Sequence, residues 1–242
     1  MTVVFREACF ALSDRLHTIN DVKLARGLER RLENLVDGAS ASVFKGTMHP
    51  VVIGGKVLRQ LDFQTEDSVA GPQIPNILNI TMNPSDLDPT LDNAGLVTEL
   101  AAVISESAAE EGWRLVGPVA VQVHTDKRIP RGVLECDGSN APGAMPPWAH
   151  LIADDGSAVL DIGMNRTLIG RALDADIRMA NEQISRHHAL IFREAGATKV
   201  TDLGSSNGTI VNRTAVGPTP VNVAPGDNVL LGDLSFTYRR VN

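Results

Sequence analysis

Residues 202–211 read Asp-Leu-Gly-Ser-Ser-Asn-Gly-Thr-Ile-Val, a polar run bracketed by two glycines and followed by apolar, strand-like residues. Glycine, serine and asparagine in this density make a turn between two strands, and alone they say no more than that. Two earlier stretches share the same design. Gly170-Arg171 follows the apolar pair Leu168-Ile169, and Ser185-Arg186-His187-His188 runs directly into the apolar segment 189–192. Further short apolar runs at 151–153, 159–162, 167–169, 209–211, 229–231 and 234–238 are cut by Gly, Asn, Asp and Pro turns. Many short strands at such spacing predict an antiparallel sandwich or barrel. The strands supply the scaffold, and the loops supply the contacts.

Three loops carry the chemistry. A phosphate group brings about −1.5 to −2 charges and three strong acceptor oxygens. Its natural partners are a guanidinium fork, hydroxyl donors and backbone N–H groups. Arg171 offers the fork and Ser185 a hydroxyl, and Asn207 can both donate to and accept from a peptide backbone. An arginine and an asparagine at fixed points on one rim serve no core. This is a set of groups suited to holding a phosphorylated peptide.

In the order IGR (169–171), ISRHHA (184–189), DLGSSNGT (202–209) and PGDNVLLGDLSF (225–236), residues 167–238 resemble a forkhead-associated (FHA) domain. The resemblance implies an all-β sandwich of about eleven strands that reads phosphothreonine with the loops at one end. It implies phosphate contacts from Arg171 and Ser185, with Arg186 flanking the same pocket, Ser206 near the phosphate and Asn207 bonded to the peptide backbone. It also implies a small pocket for the threonine methyl, and a bracing role for His188. Gly170, Gly204 and Gly208 read as turn formers that support the site through positive φ. Asp202 reads as pinning a turn through backbone amides, and His187 as simply exposed. One departure stands out. Where many members have Asn-Gly after the seventh strand, this chain has Asn212-Arg213, so that turn is expected to be reshaped.

The first half mixes periods. Leu24, Leu28, Leu32, Leu35, Val36, Ala39 and Val43 mark one face of a helix. Pro50 suits the first turn of a second helix reaching about Leu61. Leu78, Ile80 and Met82 alternate as a strand, residues 96–108 give a third helix closing near Gly112, Val119, Val121 and Val123 alternate again, and residues 132–136 can pair beside them. The result is a small α+β domain. Leu28-Glu29-Arg30-Arg31-Leu32-Glu33, Val43-Phe44-Lys45-Gly46, His49-Pro50, Glu111-Gly112-Trp113 and Gly117-Pro118-Val119 are similar to the domain that precedes FHA in actinobacterial FhaA-type proteins. Residues 137–147, DGSNAPGAMPP, read as a Pro/Gly-rich hinge. The expected organisation is an N-terminal extension over 1–20, an FhaA-type α+β domain over 21–136, the hinge over 137–147 and an FHA sandwich over 148–242. Trp148, beside the hinge, reads as the first core residue of the sandwich rather than an interdomain staple.

Composition narrows the function classes. The chain has 242 residues, 43% hydrophobic but only 4% aromatic, so its cores must rest on aliphatic side chains. Its formal charge is −7, with 13 basic against 19 acidic residues in 1–150 and 9 against 10 in 151–242. That balance argues against non-specific attachment to nucleic acid or to anionic lipid. Two cysteines, Cys9 and Cys136, read as reduced thiols of a cytoplasmic protein, and no stretch is long and apolar enough for a membrane helix. No P-loop, His-Glu-x-x-His, Gly-x-Ser-x-Gly or kinase signature set is found, and the histidines have no metal-ligand spacing, so neither an enzyme, a cofactor nor a metal is expected. The resemblance implies an adaptor in Ser/Thr kinase signalling, at cell-wall synthesis or cell division. Its partner would be a threonine-phosphorylated protein: a kinase, a kinase substrate, or a pseudokinase such as the tail of the MviN lipid flippase. Any recruitment to the membrane would come through that partner. The alternative is a structural scaffold acting mainly through self-association or partner binding of the N-terminal domain.

Overall fold

The computed structural model describes residues 48–88 and 92–241. The expected extension over 1–20, the helix read over 24–43 and Cys9 lie outside the described residues. The described residues divide into two compact units, one of 48–64, 77–88, 92–111 and 119–139, the other of 65–76, 112–118 and 140–241.

In the first unit, helix α1 (Pro50–Phe63) opens with Pro50 in its first turn, and the ring Nδ1 of His49 accepts from the Val51 amide at 3.3 Å. Proline costs nothing there, because the first amides of a helix have no intrahelical partner. Ile53, Val57, Leu58 and Leu61 form its buried face. Helix α2 (Asn93–Glu111) starts where the Asp92 carboxylate accepts from the Ala94 amide at 3.0 Å. It buries Leu96, Leu100, Val103, Ile104 and Ala108 and stops at Gly112, whose φ of 69° only glycine adopts without strain. Strands β3 (Ile77–Met82), β4 (Ala120–Thr125) and β5 (Leu134–Ser139) form a sheet in the order β4-β3-β5. β3 and β4 are parallel, with α2 as the crossover such a pair requires, and β5 returns antiparallel to β3. Two glutamines tie α1 to β5: Gln60 Nε2 donates to Leu134 O at 2.7 Å and Gln64 Nε2 to Cys136 O at 2.8 Å. β5 runs on through Asp137 and Gly138 to Ser139, three residues into the Pro/Gly-rich span, because the ladder to β3 continues there.

The second unit holds the sandwich. Its strands are β6 (Ala149–Ala153), β7 (Val159–Ile162), β8 (Arg166–Gly170), β9 (Ile177–Arg178), β10 (Ala189–Glu194), β11 (Ala197–Asp202), β12 (Thr209–Val211), β13 (Thr214–Val216), β14 (Val221–Asn222), β15 (Asn228–Leu231) and β16 (Leu234–Arg240). One sheet runs β14-β11-β10-β8-β9 and the other β13-β12-β15-β16-β6-β7, eleven strands in all, as expected. Their inward residues, among them Leu151, Ile162, Ile169, Ile191, Val200, Val229, Leu231 and Phe236, make one aliphatic core. Tyr238 is fully buried, with its hydroxyl 2.9 Å from Thr198 Oγ1. Trp148 packs against this core, donates from Nε1 to Met164 O at 2.9 Å and carries the Arg193 guanidinium 4.6 Å above its ring.

The unit also takes in two segments from the first half of the sequence. One contains a short hairpin, β1 (Glu66–Ser68) with β2 (Gly71–Gln73), and the other is Gly112–Pro118. The Asn76 side chain joins both to the Pro-rich span, donating to Pro118 O and Ala141 O and accepting from the Ala141 amide at 2.9–3.0 Å.

The turn at Asn212-Arg213 keeps its two-residue form. Val211 still pairs with Thr214, and both turn residues take positive φ, 47° and 71°. The expected reshaping does not occur. The flanking strands' twist selects this mirror-image turn, and Arg213 accepts the strain.

Candidate functional site

β8 and the segment leading into β10 lie against each other beyond the regular ladder. His188 donates its amide to Ile169 O at 2.9 Å, Arg171 to Ser185 O at 2.9 Å and Ala172 to Arg186 O at 3.0 Å. This pairing brings the first two loops together. Gly170 sits in the middle, and a Cβ there would lie 2.0 Å from Arg186 O. Glycine is needed at 170 for this close approach, not for the positive φ expected. Gly204 and Gly208, both at φ 77°, do follow the positive-φ expectation.

His188 is fully buried and ties all three loops. Its Nδ1 accepts from the Ser185 amide at 3.2 Å, so the ring proton sits on Nε2, which donates to Gly208 O at 3.1 Å. Its own carbonyl accepts from Leu203 N at 3.0 Å. The third loop is organised on Asp202. One carboxylate oxygen accepts from the amides of Gly204 (2.8 Å) and Ser205 (2.7 Å), the other from the hydroxyls of Ser205 (2.7 Å) and Thr209 (2.6 Å). Burial alone pushes this carboxyl up, but the four hydrogen bonds together outweigh it and hold the group below its ordinary value.

Ser185 Oγ accepts from the Ser206 amide at 2.9 Å, which joins the second loop to the third and leaves the hydroxyl proton to point at a ligand. Arg171 is tethered through Nε to Ile184 O at 3.2 Å, so its terminal nitrogens are the donors a ligand oxygen can reach. Arg171, Ser185, Arg186 and Ser206 all line one open cleft of about 670 Å³, together with Ala172, Asp174, His187, Leu203 and Gly204. Asn207 stands next to this lining and not in it. Its Nδ2 donates to Gln183 O at 2.9 Å and to Gln183 Oε1 at 2.8 Å, which secures the outer edge of the loop.

His187 is half-buried, not simply exposed, since Nε2 donates to both Asp174 oxygens at 3.0 Å. That hydrogen bond holds the Asp174 carboxyl below its usual range. The cleft therefore presents two guanidinia and two hydroxyls against a single carboxylate, which His187 already occupies. Such a surface accepts a dianion with several acceptor oxygens. The sequence reading missed Asp174, Leu203 and Gln183, and gave His187 no part in the site. Asp174 and His187 are thirteen residues apart, and no spacing rule links them. Among the described residues no group of three or more His, Cys, Asp or Glu could hold a metal ion, and no helix is long and apolar enough to cross a membrane.

Comparison with known proteins agrees with this architecture. The family model of the FhaA N-terminal domain matches residues 26–137, and that of the FHA domain matches residues 167–232. The chain is 39% identical over 72 residues to the glycogen accumulation regulator GarA of Mycolicibacterium smegmatis, a match covering 30% of this chain and 44% of GarA. It thus spans less than half of that relative's length. It is 28% identical over 138 residues to the FHA domain-containing protein FhaB of the same organism, covering 52% of this chain and 88% of FhaB. A solved FhaA FHA domain, complexed with the intracellular domain of Rv3910, is 33% identical with a TM-score of 0.35, covering 38% of this chain and 99% of that one. By these two matches the chain carries an FhaA-type N-terminal domain over residues 26–137 and an FHA domain over residues 167–232.

Proposed function

We propose that this protein is a phosphothreonine-dependent adaptor, which recognises a threonine-phosphorylated protein and does not itself catalyse a reaction. The observation that carries the reading is the convergence of Arg171, Ser185, Arg186 and Ser206 on one open cleft, held from behind by the buried His188 and by Asp202. Arg171 supplies the bidentate fork for the phosphate, Ser185 and Ser206 supply hydroxyl donors, and Arg186 adds a second positive charge at the rim. Asn207, already oriented by Gln183, bonds the peptide backbone beside the phosphate. Gly170, Gly204 and Gly208 support the loops. The threonine methyl would meet an apolar wall at Leu203, which lines the same cleft.

The pairing with an FhaA-type domain supports the finer reading, an adaptor acting in the cytoplasm in Ser/Thr kinase signalling at cell-wall synthesis or cell division. On this reading the sandwich over 148–242 recognises the phosphopeptide, and the α+β domain over 21–136, joined by 137–147, recruits or places the complex.

The test is a pull of phosphothreonine-containing peptides from a degenerate library by the full chain, with the unphosphorylated library as control. Enrichment of phosphothreonine peptides is expected, and equal retention of both libraries would contradict the reading. In that case the scaffold role of the N-terminal domain takes its place.

A further inference from the structure

Arg114 belongs to the first half of the sequence, yet it lies in the same compact unit as the sandwich. Its backbone bridges to the hairpin: the Arg114 amide donates to Pro72 O at 2.7 Å, and Ile74 N donates to Arg114 O at 3.1 Å. Its guanidinium reaches the sandwich. Nη1 and Nη2 each donate to one oxygen of Asp176 at 2.7 Å, and Nη1 also donates to Arg166 O at 2.6 Å. Both partners are nearly buried, with side chains 11% and 10% exposed. Neighbouring contacts hold the segment in place. Asn165 Nδ2 donates to Trp113 O at 2.8 Å, Arg166 Nη1 to Gly112 O at 2.9 Å and Arg166 Nε to Ala70 O at 2.6 Å, and the Arg166 guanidinium lies 4.1 Å over the Phe192 ring.

Asp176 ends the loop 171–176, which joins β8 to β9 and contributes Arg171, Ala172 and Asp174 to the cleft. The next two residues, Ile177 and Arg178, pair in parallel with Ile169 and Gly170, and Met179 N donates to Gly170 O at 2.8 Å. Asp176 is therefore the far anchor of the loop whose near anchor is Gly170. Its carboxylate also accepts from Leu168 N at 2.7 Å, but a single amide does not neutralise a buried charge. Without the Arg114 fork, the carboxylate must move toward water, and the loop moves with it.

We infer that Arg114 is a positioning residue of the cleft. It acts through Asp176 to hold loop 171–176 and with it Arg171, so the cleft is complete only when the segment Gly112–Pro118 is docked on the sandwich. This rests on the phosphopeptide reading above. FHA recognition in this chain then depends on residues outside the stretch that carries the FHA motifs.

The experiment compares the full chain with Arg114→Met, Arg114→Lys, Asp176→Asn and the double variant Arg114→Met/Asp176→Asn. One readout is affinity for a phosphothreonine peptide selected from the library, the other backbone hydrogen exchange of residues 171–176 against β10 and β15. Arg114→Met is expected to weaken the peptide by about tenfold or more and to speed exchange in 171–176 while β10 and β15 stay protected. Arg114→Lys, which keeps the charge but not the fork, recovers part of the affinity. The double variant binds no more weakly than Arg114→Met. Should Arg114→Met fail to fold, Arg114→Lys decides, with an intermediate affinity and faster exchange confined to the loop expected. Unchanged affinity with unchanged loop exchange overturns the inference. So does faster exchange spread evenly over the sandwich, which marks a merely structural role. If the wild-type chain binds no phosphothreonine peptide, the functional reading fails on its own. Loop exchange then still decides the positioning claim: it stands if exchange rises only in 171–176 and falls if it does not.

Discussion

Asp202 holds the third loop closed with four hydrogen bonds on two oxygens, from Gly204, Ser205 and Thr209. Its carboxyl is held low, so its contribution to stability is present above the ordinary carboxyl value and is lost as pH falls through the folded-state value. Asp202→Asn replaces one acceptor oxygen with a donor, facing groups that themselves donate. It should cost about 1–3 kcal/mol in chemical denaturation at pH 7. The gap to wild type should narrow as pH drops below about 4, and a gap that persists unchanged into acid would contradict this account. Much of the site was legible at this scale. Arg171, Ser185 and Ser206 stand in loops flanked by apolar strands, and polar residues so placed have no core to serve. The Asp174–His187 pair was not legible, because it exists only where Gly170–Ala172 and Ser185–His188 meet across the sheet.

At the scale of elements, the apolar runs marked seven sandwich strands because their apolar residues are adjacent or alternate, as in β15 and β16, although β7 buries only Ile162. β9 and β14 have two residues each, too few for any period to show, and β13 exposes two of its three. β11 buries only its last three residues, and β1 is exposed throughout, so their side chains resemble loops. What makes them strands is the neighbour they pair with. The β12–β13 hairpin shows the opposite balance, with pairing strong enough to hold Arg213 at φ 71°. A left-handed conformation costs a non-glycine residue about 1–2 kcal/mol. Arg213→Gly should therefore stabilise the sandwich by about 1 kcal/mol, less the entropy glycine adds to the unfolded chain. Thermal unfolding checks this: a higher Tm is expected, and a lower one would show that the turn is not strained.

At the scale of the whole molecule, the membership of Thr65–Asn76 and Gly112–Pro118 in the sandwich unit was beyond sequence reading. The contacts that secure them to the sandwich join residues 52 to 96 positions apart, through guanidinium and amide groups donating to backbone carbonyls and to the Asp176 carboxylate, and such bonds leave no periodic trace. The first unit has its own reporter. Cys136 is buried, and burial, with the nearby Asp137 charge, pushes its thiol up to about 11. In a Cys9→Ser variant, thiol labelling at pH 8 should follow unfolding of that unit, whereas labelling at the rate of a free cysteine would contradict its burial. The central claim is recognition of phosphothreonine through Arg171. It is tested most directly by fluorescence-polarisation titration of one library-selected peptide in phosphothreonine, phosphoserine and unphosphorylated forms, against wild type and Arg171→Ala. Removing the guanidinium from a bound phosphate should cost about 2–5 kcal/mol, enough to abolish a micromolar complex. The account predicts that wild type binds the phosphothreonine form best and the unphosphorylated form not at all, and that Arg171→Ala binds none. Binding of the unphosphorylated peptide with equal affinity, or full affinity in Arg171→Ala, would contradict it.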